Sequence, residues 1–236
     1  GLTSATAWLK HSNSELSLKP ADRGRILPES GPASGSPLIP HNFLALPQEQ
    51  SSLVTARVAL IPVPYDSTTS FRSGSREGPE AIISASYGLE DYDPEFELDV
   101  SEIGIHTTAA LEPHMGGPGP MAERVRKATS SLLEPEKTEP ERTLGLIGGD
   151  ESITAGSVQA HVEAYPSLSV LYLDAHADMR DEYMGTHWGH ASAARRVSEL
   201  CPIALAGVRS LSKEEHEFIR ANKVPSWFCP VSGQSD

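Results

Sequence analysis

From about residue 57 onward, apolar and polar positions fall into short blocks of two kinds, and the kinds alternate. Residues 57–62 form an apolar, partly β-branched run bounded by turn formers, which predicts a buried strand. A helix is predicted to start at Gly78. Pro79 falls in its first turn, where the missing N–H would have had no partner anyway. Residues 98–105 supply another strand. Residues 115–120, rich in Gly and Pro, predict a turn, and 121–133 an amphipathic helix with Val125, Ala128, Leu132 and Leu133 on one side. The second half is more regular. Strands are predicted at 143–147, 168–173 and 203–208, with helices at 153–164 and 191–200. Ser212 and Glu215 stand at capping-box spacing, and a helix follows to about residue 222. Strands alternating with helices predict an α/β fold, a parallel sheet covered on both faces.

The flanks break this pattern. Residues 28–37 are rich in Pro, Gly and Ser, so residues 1–40 read as a disordered tail or linker before a domain spanning 41–224. Beyond Lys223, Pro225, Pro230 and Gly233 fit a loose, divergent tail over 225–236 better than a central strand. Composition adds limits. The 236 residues, 38% hydrophobic and 22% charged, suffice for one domain with a core. A net charge of −13 argues against a nucleic-acid partner and suits a small cationic substrate. No apolar run is long enough to cross a bilayer and no leader is visible, so no membrane partner is expected. Cys201 and Cys229 make neither a disulfide framework nor a metal-binding pair, which fits a reducing, cytoplasmic setting.

In parallel sheets functional residues gather at the carboxyl ends of strands, and the chemistry-bearing residues here fall there. Asp174, His176 and Asp178 follow the 168–173 strand. In an extended chain alternate side chains share a face, so this spacing puts two carboxylates and an imidazole on one side. That donor set suits Mn²⁺, Zn²⁺ or Fe²⁺, with the hard carboxylates leaning toward Mn²⁺. Alone, the run reads equally well as a solvated polar strand end; its place after a buried strand tips the balance. Gly148-Gly149-Asp150-Glu151-Ser152 joins a strand to a helix. The glycines permit a tight turn and positive φ, and Asp150 or Ser152 caps the helix. Glu151 reaches the mouth of the sheet, although capping alone explains its neighbours. Residues 185–191 form a loop carrying His187 and His190. His187 reads as a surface residue; the placement of His190 favours proton transfer at neutral pH.

Gly-Gly-Asp-x-Ser at 148–152, Asp-Ala-His-x-Asp at 174–178 and His190-Ala191 together resemble the ureohydrolase (arginase/agmatinase) superfamily. So do residues 61–70 and 72–82. With Asp181-Glu182-Tyr183 and Ala194-Arg195-Arg196 they are most similar to the agmatinase branch. The resemblance runs from about residue 41 to about 224. It implies an arginase-like three-layer α/β/α fold with a mainly parallel central sheet, a binuclear manganese centre and self-association into homo-oligomers. It further implies that Asp174 bridges the ions, Asp178 binds one and His176 the other, and that His190 lies near the substrate. The implied reaction is hydrolysis of a guanidino group, agmatine giving putrescine and urea. His190 and Asp178 are the expected catalytic residues, with the leaving amine taking its proton from a carboxylate or from His190.

Two departures alter the expectation. Glu151 stands where the family has a histidine ligand, which keeps a ligand but adds negative charge. The family's later Asp-x-Asp strand end has no counterpart here, so the sheet is expected to lack its last strands and the site to hold one weak ion. A non-catalytic binding protein of the same fold, or a hydrolase of another guanidino or formimino substrate, are the alternatives.

Overall fold

The computed structural model of the chain describes residues 5–9, 38–133 and 142–229. Its strands, in chain order, are β1 (Ala5–Leu9), β2 (Val58–Val63), β3 (Tyr92–Asp93), β4 (Leu98–Asp99), β5 (Ile105–Thr107), β6 (Thr143–Gly148), β7 (Ser169–Leu173), β8 (Ile203–Val208) and β9 (Ser226–Phe228). The α-helices are α1 (Gln48–Ser51), α2 (Gly78–Ser86), α3 (Pro118–Leu132), α4 (Thr154–Ala164), α5 (Ala193–Ser198) and α6 (Lys213–Ala221).

The parallel α/β class holds, and the sheet is in two pieces. One has the order β5-β2-β6, all parallel; the other runs β1-β7-β8-β9, parallel except for β1. Each piece has its own core. Ile61, Val63 and Tyr65 of and after β2 pack with Met121 and Val125 of α3. Val170, Tyr172, Leu205 and Val208 of β7 and β8 pack with Val158 of α4 and Val197 of α5. Burying each such Val or Leu fully contributes about 1.5–3 kcal/mol. Helix α4 serves both halves, because it carries the chain from β6 to β7 and packs closely on α3. A Cβ added at Gly156 would lie 2.0 Å from the carbonyl oxygen of Ala122.

Four sequence expectations are corrected. Residues 98–105 do not make one strand: β4 stops at Asp99, a 3-10 turn spans Val100–Ile103, and Gly104 at φ 75° redirects the chain into β5. Helix α3 starts at Pro118, not Met121, since Gly117 at φ 102° ends the turn and proline suits the first helical position. Within 225–236, Ser226–Phe228 is a parallel strand beside β8, because the Leu205 N–H donates to the Pro225 carbonyl and the Cys229 N–H to that of Val208. The prolines sit outside that strand, so they do not prevent it. Within 1–40, Ala5–Leu9 pairs antiparallel with β7. The rest of the expected tail, residues 10–37, and residues 230–236 lie outside the described residues. No described helix is long and apolar enough to cross a membrane.

Candidate metal and proton-transfer site

The carboxyl ends of β2, β6, β7 and β8 open on one cavity of 1180 Å³. Glu151, Asp174, His176, Asp178 and His190 all line it. Residues scattered over forty positions of sequence thus meet because parallel strands point their ends the same way.

Each segment reaches the cavity by a specific local device. After β6 the Asp150 N–H donates to the carbonyl of Tyr65 at 2.8 Å. Gly149 is required there by close approach rather than by positive φ: a Cβ on it would lie 1.9 Å from that carbonyl oxygen. Asp150 is the cap, accepting from the Ser152 N–H at 3.0 Å, and Glu151 opens the following 3-10 turn. After β7 the chain leaves the strand at Leu173. The alternation argument therefore does not apply to residues 174–178, and Asp178 itself has φ 49°. Other contacts hold them. The N–H groups of Arg209 and Ser210 donate to the Ala175 carbonyl at 2.9 and 3.0 Å, and the His176 N–H donates to Asp174 at 2.8 Å. A bulge at Gly207, φ 89°, lets β8 pass beside the Asp174 backbone.

Asp178 is the buried member. The Tyr172 hydroxyl donates to it at 2.9 Å. Burial, and then the charges of Asp174 and Glu151, push its carboxyl well above the usual carboxylate range. Burial and the charge of Asp178 likewise raise the Tyr172 phenol. Buried Glu215 of the α6 capping box accepts from the Met179 N–H at 3.0 Å and the Ser212 N–H at 2.7 Å, tying the 174–179 segment to α6. His176 is exposed, with Nδ1 3.5 Å from Asp174. The donors match a hard divalent cation in kind, and a cation would offset the charge crowding around Asp178. Among the described residues, no three His, Cys, Asp or Glu side chains already converge in a ligand arrangement.

His190 is held from the other side of the cavity. Its backbone N–H donates to the Thr68 hydroxyl at 3.0 Å, and its Nδ1 lies 3.2 Å from the same oxygen. The Tyr183 ring stands edge-on to it at 5.9 Å. Asp181 anchors this loop through Arg196 at 2.6 Å, which lowers the Asp181 carboxyl below its usual range. His187 stays outside the cavity, its Nδ1 against the Asp181 carbonyl at 2.9 Å. From sequence, Tyr172 and Thr68 carry no separate site role, Tyr183 enters only through the family resemblance and Glu215 only as a helix cap. Thr68 carried one usable signal, its position just past the carboxyl end of β2.

The arginase family's sequence profile matches residues 56–228. The chain belongs to the arginase family. Within it, the chain is 39% identical to the N(1)-aminopropylagmatine ureohydrolase of Thermococcus kodakarensis, over 72% of its own length and 57% of that protein's. It is 31% identical to the agmatinase of Bacillus subtilis over 71% of its length and 57% of that relative's. The structure of the agmatine ureohydrolase of Thermoplasma volcanium aligns with a TM-score of 0.65 at 29% identity, covering 75% of this chain and 58% of that one. The arginase-like fold expected from the sequence is therefore present, and the chain spans somewhat over half the length of these relatives.

Proposed function

We propose that this chain carries the metal-holding and proton-transfer part of a hydrolase acting on a guanidino-bearing amine such as agmatine or its aminopropyl derivative. One observation carries the reading: in an arginase-family chain, Glu151, Asp174, His176, Asp178 and His190 come from three separate segments to line one cavity. With Glu215, four acidic side chains line that cavity and make it attractive to a cation. A guanidinium stays protonated up to a pKa above about 12 and spreads its charge, so it is a poor electrophile. Glu151, Asp174, Asp178 and His176 would hold Mn²⁺. Manganese bound there would lower the pKa of water enough to supply a nucleophile at neutral pH. His190 would take a proton from the attacking water and pass it to the leaving amine, so that one water is consumed and urea and the amine are released.

The test is urea release from purified chain with excess Mn²⁺, offered agmatine and N(1)-aminopropylagmatine. Turnover is expected, with His190→Gln lowering kcat by roughly 10²–10⁴-fold, the contribution of a positioned proton-transfer group. No urea from either substrate, with Mn²⁺ demonstrably bound, overturns the reading and leaves a binding protein of the same fold.

A further inference from the structure

The hydrogen bonds around Thr68 determine more about His190 than its position. Asp150 is buried, and its carboxylate accepts from four donors. The Ser152 N–H, at 3.0 Å, and the Ser152 hydroxyl serve one oxygen; the Thr68 N–H at 3.0 Å and the Thr68 hydroxyl at 2.8 Å serve the other. Four donors match the acceptor places of the two carboxylate oxygens. A threonine hydroxyl has a single proton, and here it goes to Asp150. The Thr68 oxygen therefore meets His190 only as an acceptor. It accepts the backbone N–H of His190 at 3.0 Å and faces Nδ1 at 3.2 Å. Two nitrogen donors match its two lone pairs.

We infer that Asp150 and Thr68 are positioning residues that fix the tautomer of His190, placing the hydrogen on Nδ1 and the lone pair on Nε2. In a neutral imidazole one nitrogen donates and the other accepts, so setting Nδ1 sets Nε2. Among the described residues Nε2 has no hydrogen-bond partner, and His190 lines the cavity. The lone pair is thus left on the nitrogen that is not engaged by the protein. The device joins three segments: Thr68 follows β2, Asp150 follows β6 and His190 precedes α5. The edge-on Tyr183 ring limits rotation of the imidazole. The use of this tautomer for proton transfer rests on the function proposed above; the tautomer itself does not.

Long-range ¹H–¹⁵N correlation spectra of ¹⁵N-labelled protein read imidazole tautomers directly, with His190→Gln assigning the signal. The spectra are recorded at about pH 8.5, above the ordinary imidazole pKa of about 6.5. The expected spectrum shows His190 protonated on Nδ1. Thr68→Ser keeps that state, and Thr68→Val, which keeps shape but loses the hydroxyl, abolishes the preference. A His190 signal protonated on Nε2 in the unsubstituted protein overturns the inference, and this arm needs no Thr68 variant to fold. So does a folded Thr68→Val protein with an unchanged tautomer. Urea release is a separate arm. If the tautomer is as assigned and no urea forms, the relay stands and the hydrolytic reading falls.

Discussion

At the scale of single residues, the segment between β2 and α2 depends on Asp66. Burial alone would raise its carboxyl. The Arg76 side chain and the backbone N–H groups of Gly74 and Arg76 outweigh that and hold it below the usual carboxylate range. The Gly74 N–H donates at 2.7 Å and the Arg76 Nε at 2.5 Å. These bonds close the loop that carries Thr68 to Asp150 and His190. A depressed folded pKa contributes stability above the unfolded value, near 3.8, and loses it as pH falls through the folded value. Asp66→Asn is therefore expected to cost roughly 1.5–3 kcal/mol at neutral pH, the range for a hydrogen bond to a charged group. The difference from the parent should shrink as pH drops below about 4. Urea denaturation at a series of pH values measures it; a gap that stays constant into acid would sink the argument. Little of this was visible in the sequence. Asp66 lay in a segment noted only for resemblance, because a carboxylate's donors come from residues eight and ten positions on.

At the scale of elements, hydrophobic pattern served well where the chain is buried. The strand at 203–208 was located to the residue, and those at 143–147 and 168–173 to within one. The capping box at Ser212 and Glu215 was legible because both halves of it are local. Pattern misled where a single backbone angle decides. Gly104 splits the 98–105 segment and Gly117 moves the start of α3 forward. The turn between β6 and the helical segment after it is the most constrained junction. Gly149→Ala would press a Cβ into the Tyr65 carbonyl 1.9 Å away, and backbone on both sides must shift. A loss of about 1–3 kcal/mol or more is expected, the usual cost of overpacking. The denaturation midpoint checks this, and an unchanged midpoint would show that the two segments are not in contact. The sequence pattern assigns the glycines a tight turn and positive φ; at Gly149 the need is space, which a local sequence window does not reveal.

At the scale of the whole molecule, two parallel half-sheets share helix α4 and deliver their carboxyl ends to one cavity. The donors found there are the carboxylates of Glu151, Asp174, Asp178 and Glu215, the last already accepting from the Met179 and Ser212 N–H groups, and one ligand-type imidazole, His176, with His190 tied to Thr68. No three are gathered in advance among the described residues. Elemental analysis of dialysed chain is accordingly expected to show no more than one tightly held Mn²⁺ per molecule; two would contradict the ligand count. The sequence by itself determined the family, the parallel α/β class and five residues that line the cavity, Glu151, Asp174, His176, Asp178 and His190, because motifs and hydrophobic period are short-range properties. Asp174, His176 and Asp178 were readable as potential ligands from residue type and strand-end position alone. The tertiary structure decided how they are held: not by strand alternation but by Ala175 against β8's extension, by Tyr172 under Asp178 and by Glu215 from α6. It also decided that Asp150, Thr68 and His190 form one hydrogen-bonded chain. Residues separated by 82 and 122 positions meet only when separate strand ends are brought to the same place, and no local pattern encodes that meeting.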